Sequence, residues 1–318
     1  MTWLSRPTQA TPAPRNGAEE NARAAEMMAR VRRLELATRR LVESLFAGQY
    51  HSAFKGRGLE FSEVREYDPA DDHRLIDWNV TARTGSLHVR KYAEERELTT
   101  FLVVDLSGSQ RFGTATTVKR ELAAHVCALV AFSALRNNDK VGSMLFTDRI
   151  ESFLAPRKGR DHALRLVRDA LFLEPEGRGT DLAGALAFMS RAVKRRAVVF
   201  VVSDFIAGSY ERELRIAALR HDVICVAVSD PWEASVPRGL GLVPVRDPET
   251  GAEFLLDTDS RRVVERYARD RANRAPDLQR RLSSCGADAV ALSTREDIVA
   301  PLARFFGLRG HGRRRRRR

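Results

Sequence analysis

The sequence predicts an α/β fold: a mostly parallel central sheet with helices on both faces, preceded by a helix and a loop-rich β block. Three observations predict it. Short apolar runs alternate with amphipathic helical patterns across residues 98–308. Two of the runs, 101–104 (Phe-Leu-Val-Val) and 198–202 (Val-Val-Phe-Val-Val), are unbroken, as in strands covered on both faces. Both lead into an aspartate at the C-terminal end, Asp105 directly and Asp204 after Ser203.

The elements follow in order. Residues 1–20 are rich in Thr, Pro and Ala and are expected to form a disordered arm. Residues 21–46 place Met27, Val31, Leu34, Leu41, Val42 and Leu45 at three- and four-residue steps, which predicts a helix. Residues 50–97 change character. Gly56-Arg57-Gly58 is followed by Phe61, Val64 and Tyr67 among charges, then by Asp68-Pro69-Ala70-Asp71-Asp72, a loop-rich stretch with short strands. Residues 21–97 are read as one N-terminal unit and 98–308 as the α/β domain.

Within that domain the first strand is expected at 101–104 and a helix at 119–135. Strands at 141–146 and 150–154 form a hairpin around Thr147-Asp148-Arg149. Helices at 161–173 and 182–193, a strand at 198–202, a helix at 211–219 and a strand at 223–228 follow. A second hairpin pairs 243–245 with 254–256 around Pro248-Glu249-Thr250-Gly251. A helix at 261–282 is expected to break at Pro276, and a strand at 289–292 and a helix at 296–306 close the domain. Residues 309–318 are expected to be a disordered, Arg-rich tail.

Composition narrows the function. The 318 residues are 43% hydrophobic and 30% charged, with a net charge of +12. Six of those charges are the run Arg313 to Arg318, and only six of the 54 basic residues are lysine. No basic stripe with interleaved aromatics marks a nucleic-acid surface. No apolar run approaches the length of a membrane helix, and the N-terminus lacks an apolar signal core, so the cytoplasm is the expected location. Cys127, Cys225 and Cys285 are odd in number and widely spaced, against a disulfide framework or zinc cluster. No Gly-x-x-x-x-Gly-Lys-Ser/Thr appears, so the chain is not itself a P-loop ATPase.

In open α/β sheets, sites lie at the carboxyl ends of strands. Asp105-Leu106-Ser107-Gly108-Ser109 follows one buried strand, where a carboxylate and two hydroxyls can converge. Asp204 closes the other, and Thr180 lies in a Gly-flanked loop before a helix. All of these are hard oxygen donors, a set suited to magnesium. The same residues also suit turn and helix caps, and Asp181 is read as a cap.

These residues resemble the metal-ion-dependent adhesion site of the von Willebrand factor A superfamily. Asp105, Ser107 and Ser109 match its Asp-x-Ser-x-Ser run, Thr180 its downstream threonine, and Asp204 its second carboxylate. The resemblance implies a Rossmann-like domain holding Mg2+ (or Mn2+ or Ca2+) through hydroxyls, with carboxylates often acting through water. It implies an open position that takes an acidic side chain from a partner protein.

A second resemblance covers Tyr50 to Gly113. Gly56-Arg57-Gly58-Leu59-Glu60-Phe61, Arg65-Glu66-Tyr67 and Asp71-Asp72-His73-Arg74-Leu75-Ile76-Asp77-Trp78 are similar to the bacterial domain-of-unknown-function 58 family. The chain departs from that pattern at Ala70, where Gly is usual, and at Gln110, where Met is usual. The resemblance implies a MoxR-type AAA+ ATPase as partner, in the assembly or activation of other proteins. Asp71, Asp72, Arg74, Asp77 and Trp78 are candidate partner-binding residues, though the aspartates also suit a capped turn and Trp78 a packing role.

The expectation is a non-enzymatic, metal-dependent protein–protein interaction module. Two alternatives differ in class. A metal-dependent hydrolase would use the same ion but needs a general base, and no His lies in these motifs. A nucleic-acid binder would work through the basic tail, with steep salt dependence.

Overall fold

The computed structural model describes residues 17–41, 59–69, 71–94, 98–114 and 117–315. The expected arm of residues 1–20 lies outside this range up to residue 16, whereas 17–20 are helical instead, and the end of the tail lies outside it from residue 316.

A six-stranded sheet forms the centre. In chain order its strands are β3 (Thr99–Asp105), β4 (Lys140–Phe146), β5 (Ile150–Arg157), β6 (Val198–Ser203), β7 (Asp222–Ser229) and β10 (Asp288–Ser293). They are arranged β10-β7-β6-β3-β4-β5. Every neighbouring pair is parallel except β4–β5, the first hairpin, which places an antiparallel strand at one edge. The fold class is therefore α/β with a mostly parallel sheet.

Strand alternation sends successive side chains to opposite faces. Leu102 and Val104 of β3 enter one core and Phe101 and Val103 the other. The first core is covered by α1 (Gly17–Leu41), α3 (Lys119–Arg136), α4 (Arg160–Phe172) and α10 (Val299–Arg315). The second is covered by α5 (Leu182–Ala192), α6 (Glu211–Arg220) and α9 (Arg274–Ser284). Helix α3 is buried almost all round, which its run of Ala, Val and Leu permits. Helix α1 lays Val31 and Leu34 on this core, and Arg160 of α4 donates to both carboxylate oxygens of Glu35 at 2.9 Å. All three cysteines are buried free thiols.

The N-terminal block is a two-stranded antiparallel sheet of β1 (Leu59–Glu66) and β2 (His88–Glu94), joined by a 3-10 turn at His73–Leu75 and helix α2 (Trp78–Thr84). Between β7 and β10 lie the short helix α7 (Pro231–Ala234), the second hairpin of β8 (Leu242–Arg246) and β9 (Glu253–Asp257), and helix α8 (Arg261–Ala272).

Two expectations are corrected. The helical break near the C-terminus falls at Asn273, and Pro276 sits in the first turn of α9. There its missing N–H costs nothing, because first-turn amides have no intrahelical partner. The expected tail from residue 309 instead continues α10 to Arg315. Arg309 is pinned there by Asp222 and by Asp288, the latter at 3.1 Å.

Candidate functional site

β3 and β6 are adjacent at the middle of the sheet, with Val104 level with Val202. Their aspartates therefore emerge side by side at the carboxyl edge. Asp105 is fully buried, and its two oxygens are held separately. Oδ1 accepts the Ser107 amide at 2.8 Å, and Oδ2 accepts the Ser203 hydroxyl at 2.6 Å. A 3-10 turn at Gly108–Arg111 then brings the Ser107 and Ser109 hydroxyls within 3.2 Å of each other. Ser109 donates to Asp204 Oδ2 at 2.8 Å. Asp105, Ser107, Ser109 and Asp204 are thus one connected chain of hydroxyls and carboxylates.

Past β6 the backbone turns sharply. Phe205 adopts a left-handed φ of 55°, a conformation concentrated at functional sites because it costs energy for a residue with a Cβ. The turn lets Ile206 N–H reach Asp204 Oδ1 at 3.0 Å and Phe205 N–H reach Ser203 Oγ at 3.0 Å.

Thr180 approaches from a third loop, which two contacts position. The Gly108 amide donates to the Arg178 carbonyl at 3.0 Å. Glu151 of β5 accepts the amides of Gly177 at 2.8 Å and Glu176 at 3.1 Å, and the Thr147 hydroxyl at 2.6 Å. The Thr180 hydroxyl itself donates to Glu249 at 2.6 Å, so it stands outside the chain that joins the other four residues. Asp181 caps α5 through the Gly184 amide, as expected.

Three residues that sequence reasoning missed, Ser203, Lys119 and Glu249, complete the surroundings together with Glu233, whose segment after a strand is expected near this sheet edge. Lys119, at the start of α3, is fully buried and donates to Asp204 at 2.8 Å and to Glu233 at 2.6 Å. Burial alone would depress its pKa, but the two carboxylates outweigh that and hold it above the ordinary lysine value. Glu233 is also the N3 member of a capping box with Asp230, so α7 is locked where it meets Lys119. Lys119 opens a Lys-Arg-Glu start to an apolar-rich helix, so nothing in the sequence singled it out for the ion pair.

Asp105 has the opposite balance. Burial and the nearby Asp204 push its pKa up to about 6, against the bonds from Ser203 and Ser107. An additional cation here would relieve that strain. The donor set fits a hard divalent ion: two hydroxyls and a buried carboxylate converge, all oxygen. Lys119 already occupies an oxygen of Asp204, which suits Asp204 to contact through water. Among the described residues no group of three or more His, Cys, Asp or Glu can by itself hold a metal, so the hydroxyls are essential to the fit.

The N-terminal candidates lie in the other block. Asp71 accepts the Asp68 amide at 2.9 Å and pairs with Arg65 at 2.6 Å. Asp72 caps the 3-10 turn through the Arg74 amide at 2.9 Å, and Asp77 caps α2 through the Asn79 and Val80 amides at 3.0 and 3.3 Å. The aspartates therefore shape turns. Trp78 does not take the packing role: at the first position of α2, after the capping Asp77, it is 66% exposed. The Arg74 side chain is exposed as well.

Residues 63–276 match the family described as protein of unknown function DUF58. The chain belongs to this family. Among similar proteins, the uncharacterized protein Rv1480 of Mycobacterium tuberculosis is 34% identical over 292 residues, covering 90% of this chain and 91% of that protein. The uncharacterized protein MAV169 of Mycobacterium avium is 34% identical over 161 residues, covering 49% of this chain and 93% of its own length. Similar solved structures include the conserved hypothetical protein BatB of Bacteroides thetaiotaomicron, at TM-score 0.45 and 15% identity, covering 67% of this chain and 99% of that one. They also include the SpRpn10 VWA domain, at TM-score 0.37 and 14% identity, covering 65% and 93%. Among the described residues of this DUF58 chain, no helix is long and apolar enough to cross a membrane.

Proposed function

We propose that this DUF58 protein is a non-enzymatic, metal-dependent protein–protein interaction module built on a von Willebrand factor A-like domain. The observation that carries the reading is the hydroxyl–carboxylate chain from Asp105 through Ser107 and Ser109 to Asp204 at two adjacent strand ends. Ser107 and Ser109 would hold a Mg2+-type ion (Mn2+ or Ca2+ in its place), with Thr180 completing the hydroxyl set and Asp105 and Asp204 acting directly or through water. Bound there, the ion would supply an open coordination position for a partner's carboxylate. Ser203 and the Ser107 amide fix the Asp105 carboxylate, and Lys119 fixes Asp204, so the donors are oriented before any ligand arrives.

The partner we propose is a MoxR-type AAA+ ATPase in the cytoplasm, with the pair acting on other proteins. The exposed Trp78, in the block with Asp71, Asp72, Arg74 and Asp77, supports a second contact surface there. Calorimetric titration of magnesium into chelator-treated protein tests the site. Binding that disappears in Asp105→Ala is expected, and binding unchanged by that substitution overturns the assignment. Capture of an AAA+ ATPase with magnesium, lost with chelator, is expected of the partner reading; recovery unaffected by chelator refutes metal dependence.

A further inference from the structure

The tip of the β8–β9 hairpin lies on the candidate site. Glu249 accepts the Thr180 hydroxyl at 2.6 Å. The next contact is backbone: a Cβ added to Gly108, between Ser107 and Ser109 of the Asp-x-Ser-x-Ser run, would run into the Pro248 carbonyl oxygen. Glycine at 108 is therefore what lets the hairpin tip close on the loop.

The tip is also built to present this carboxylate. Asp247 Oδ1 accepts the amides of Glu249 at 2.9 Å and Thr250 at 2.8 Å, and the Gly251 amide returns to the Asp247 carbonyl at 2.9 Å. Gly251 supplies the positive φ of 76° that ends the turn. Glu249 thus leaves a rigid turn and meets a residue of the site itself. The stalk below is thinly covered. Leu242 and Leu255 are 65% and 66% exposed, and Leu256 is its buried anchor. A tip held by few contacts above an exposed stalk can be lifted at small cost.

Charge favours a cation between tip and loop. Asp204 and Glu233 hold the ammonium of Lys119, Asp105 lies beside Asp204, and Glu249 meets Thr180 on the neighbouring loop. A divalent ion at Ser107 and Ser109 would attract the Glu249 carboxylate, which Thr180 already steers toward it.

We propose that Glu249 is an internal acidic ligand of the site, occupying from within the chain the position that a partner's carboxylate would take. This rests on the reading of Asp105, Ser107, Ser109, Thr180 and Asp204 as a cation site. The hairpin then sets the condition for binding. A partner engages only by presenting an acidic side chain that displaces Glu249 and lifts the tip. Because the internal carboxylate is tethered, it competes at high effective concentration, and a partner needs further contacts to win.

The test uses the full chain with a nitroxide at Thr250→Cys, which labels selectively because the native cysteines are buried. Magnesium alone is the probe. Calorimetry is expected to show magnesium binding, and the nitroxide spectrum to broaden as the tip is held. In the same chain carrying Glu249→Gln, which retains an acceptor for Thr180, the spectrum is expected to stay mobile on adding magnesium and the affinity to fall by roughly tenfold. Magnesium binding of equal affinity in both chains, with a spectrum indifferent to the ion, overturns the internal ligand and leaves the cation site standing. No magnesium binding to either chain refutes the cation site itself, and the inference falls with it.

Discussion

Replacing Asp105 with Asn in metal-free protein should stabilise it at neutral pH, although the change removes the most central residue of the site. The carboxylate is fully buried, and its pKa rises from 3.8 to about 6 because burial, and then Asp204, oppose its charge. A rise of about 2 units corresponds to roughly 3 kcal/mol. The folded pKa lies above the unfolded one. The group's favourable contribution is therefore complete below about pH 4 and is lost as pH rises through 6. Asn cannot ionise, so it avoids this loss. It keeps an acceptor for the Ser107 amide but cannot accept the Ser203 proton, at a cost of about 1 kcal/mol.

The net expectation in chelator is a gain of about 2 kcal/mol at pH 8 and a loss of about 1 kcal/mol near pH 4, with a crossing between. Urea unfolding of both chains from pH 4 to pH 8 measures it, and taking the difference cancels carboxylates common to both. Equal destabilisation by Asp105→Asn at pH 4 and pH 8 would refute the argument, since the buried charge would then contribute nothing. With magnesium present the order should reverse at pH 8, because only the aspartate gains from the cation.

Lys119→Met should cost roughly 3–5 kcal/mol by urea unfolding in chelator, since it leaves the buried Asp204 without its cation; a loss under 1 kcal/mol would mean the pair is dispensable. Gln110→Met should stabilise by roughly 1–3 kcal/mol, because both amide atoms of Gln110 are buried with no partner among the described residues; an unchanged urea midpoint would show that those atoms are satisfied in solution. Trp78→Ala should leave the unfolding free energy within about 0.5 kcal/mol while weakening capture of the proposed ATPase partner, and a large stability loss would show that the indole packs in solution.

Where local pattern and final structure coincide, the sequence was enough to read. The apolar runs at 101–104 and 198–202 became the two central strands because nothing but a doubly covered position suits them. The Thr147-Asp148-Arg149 turn joined an antiparallel pair as expected. Reading failed where a long-range contact decided the outcome. Residues 309–315 look like solvated tail in isolation, but α10 continues through them with Arg309 bonded to Asp222 on β7. Pro276 looks like a breaker, but its effect depends on how close the preceding helix end lies.

The candidate site divides along the same line. Asp105, Ser107 and Ser109 occupy one short loop, so spacing alone brings them together. Asp204 joins them because β6 pairs with β3, a neighbour relation the sequence implies only through the equal quality of the two strands. Lys119 and Glu249 carry no such mark, because each is brought in by the packing of a separate segment, whereas Glu233 follows β7 and so reaches the same sheet edge. All three are charged, and their charges change what the motif means. A bare Asp-x-Ser-x-Ser loop suggests an open cation site. With Lys119 holding Asp204 and Glu249 resting on Thr180, the same loop is partly neutralised on one side and covered on the other. Access to this loop is therefore set by residues far from it in sequence, so the Asp-x-Ser-x-Ser spacing alone does not report whether the loop is open.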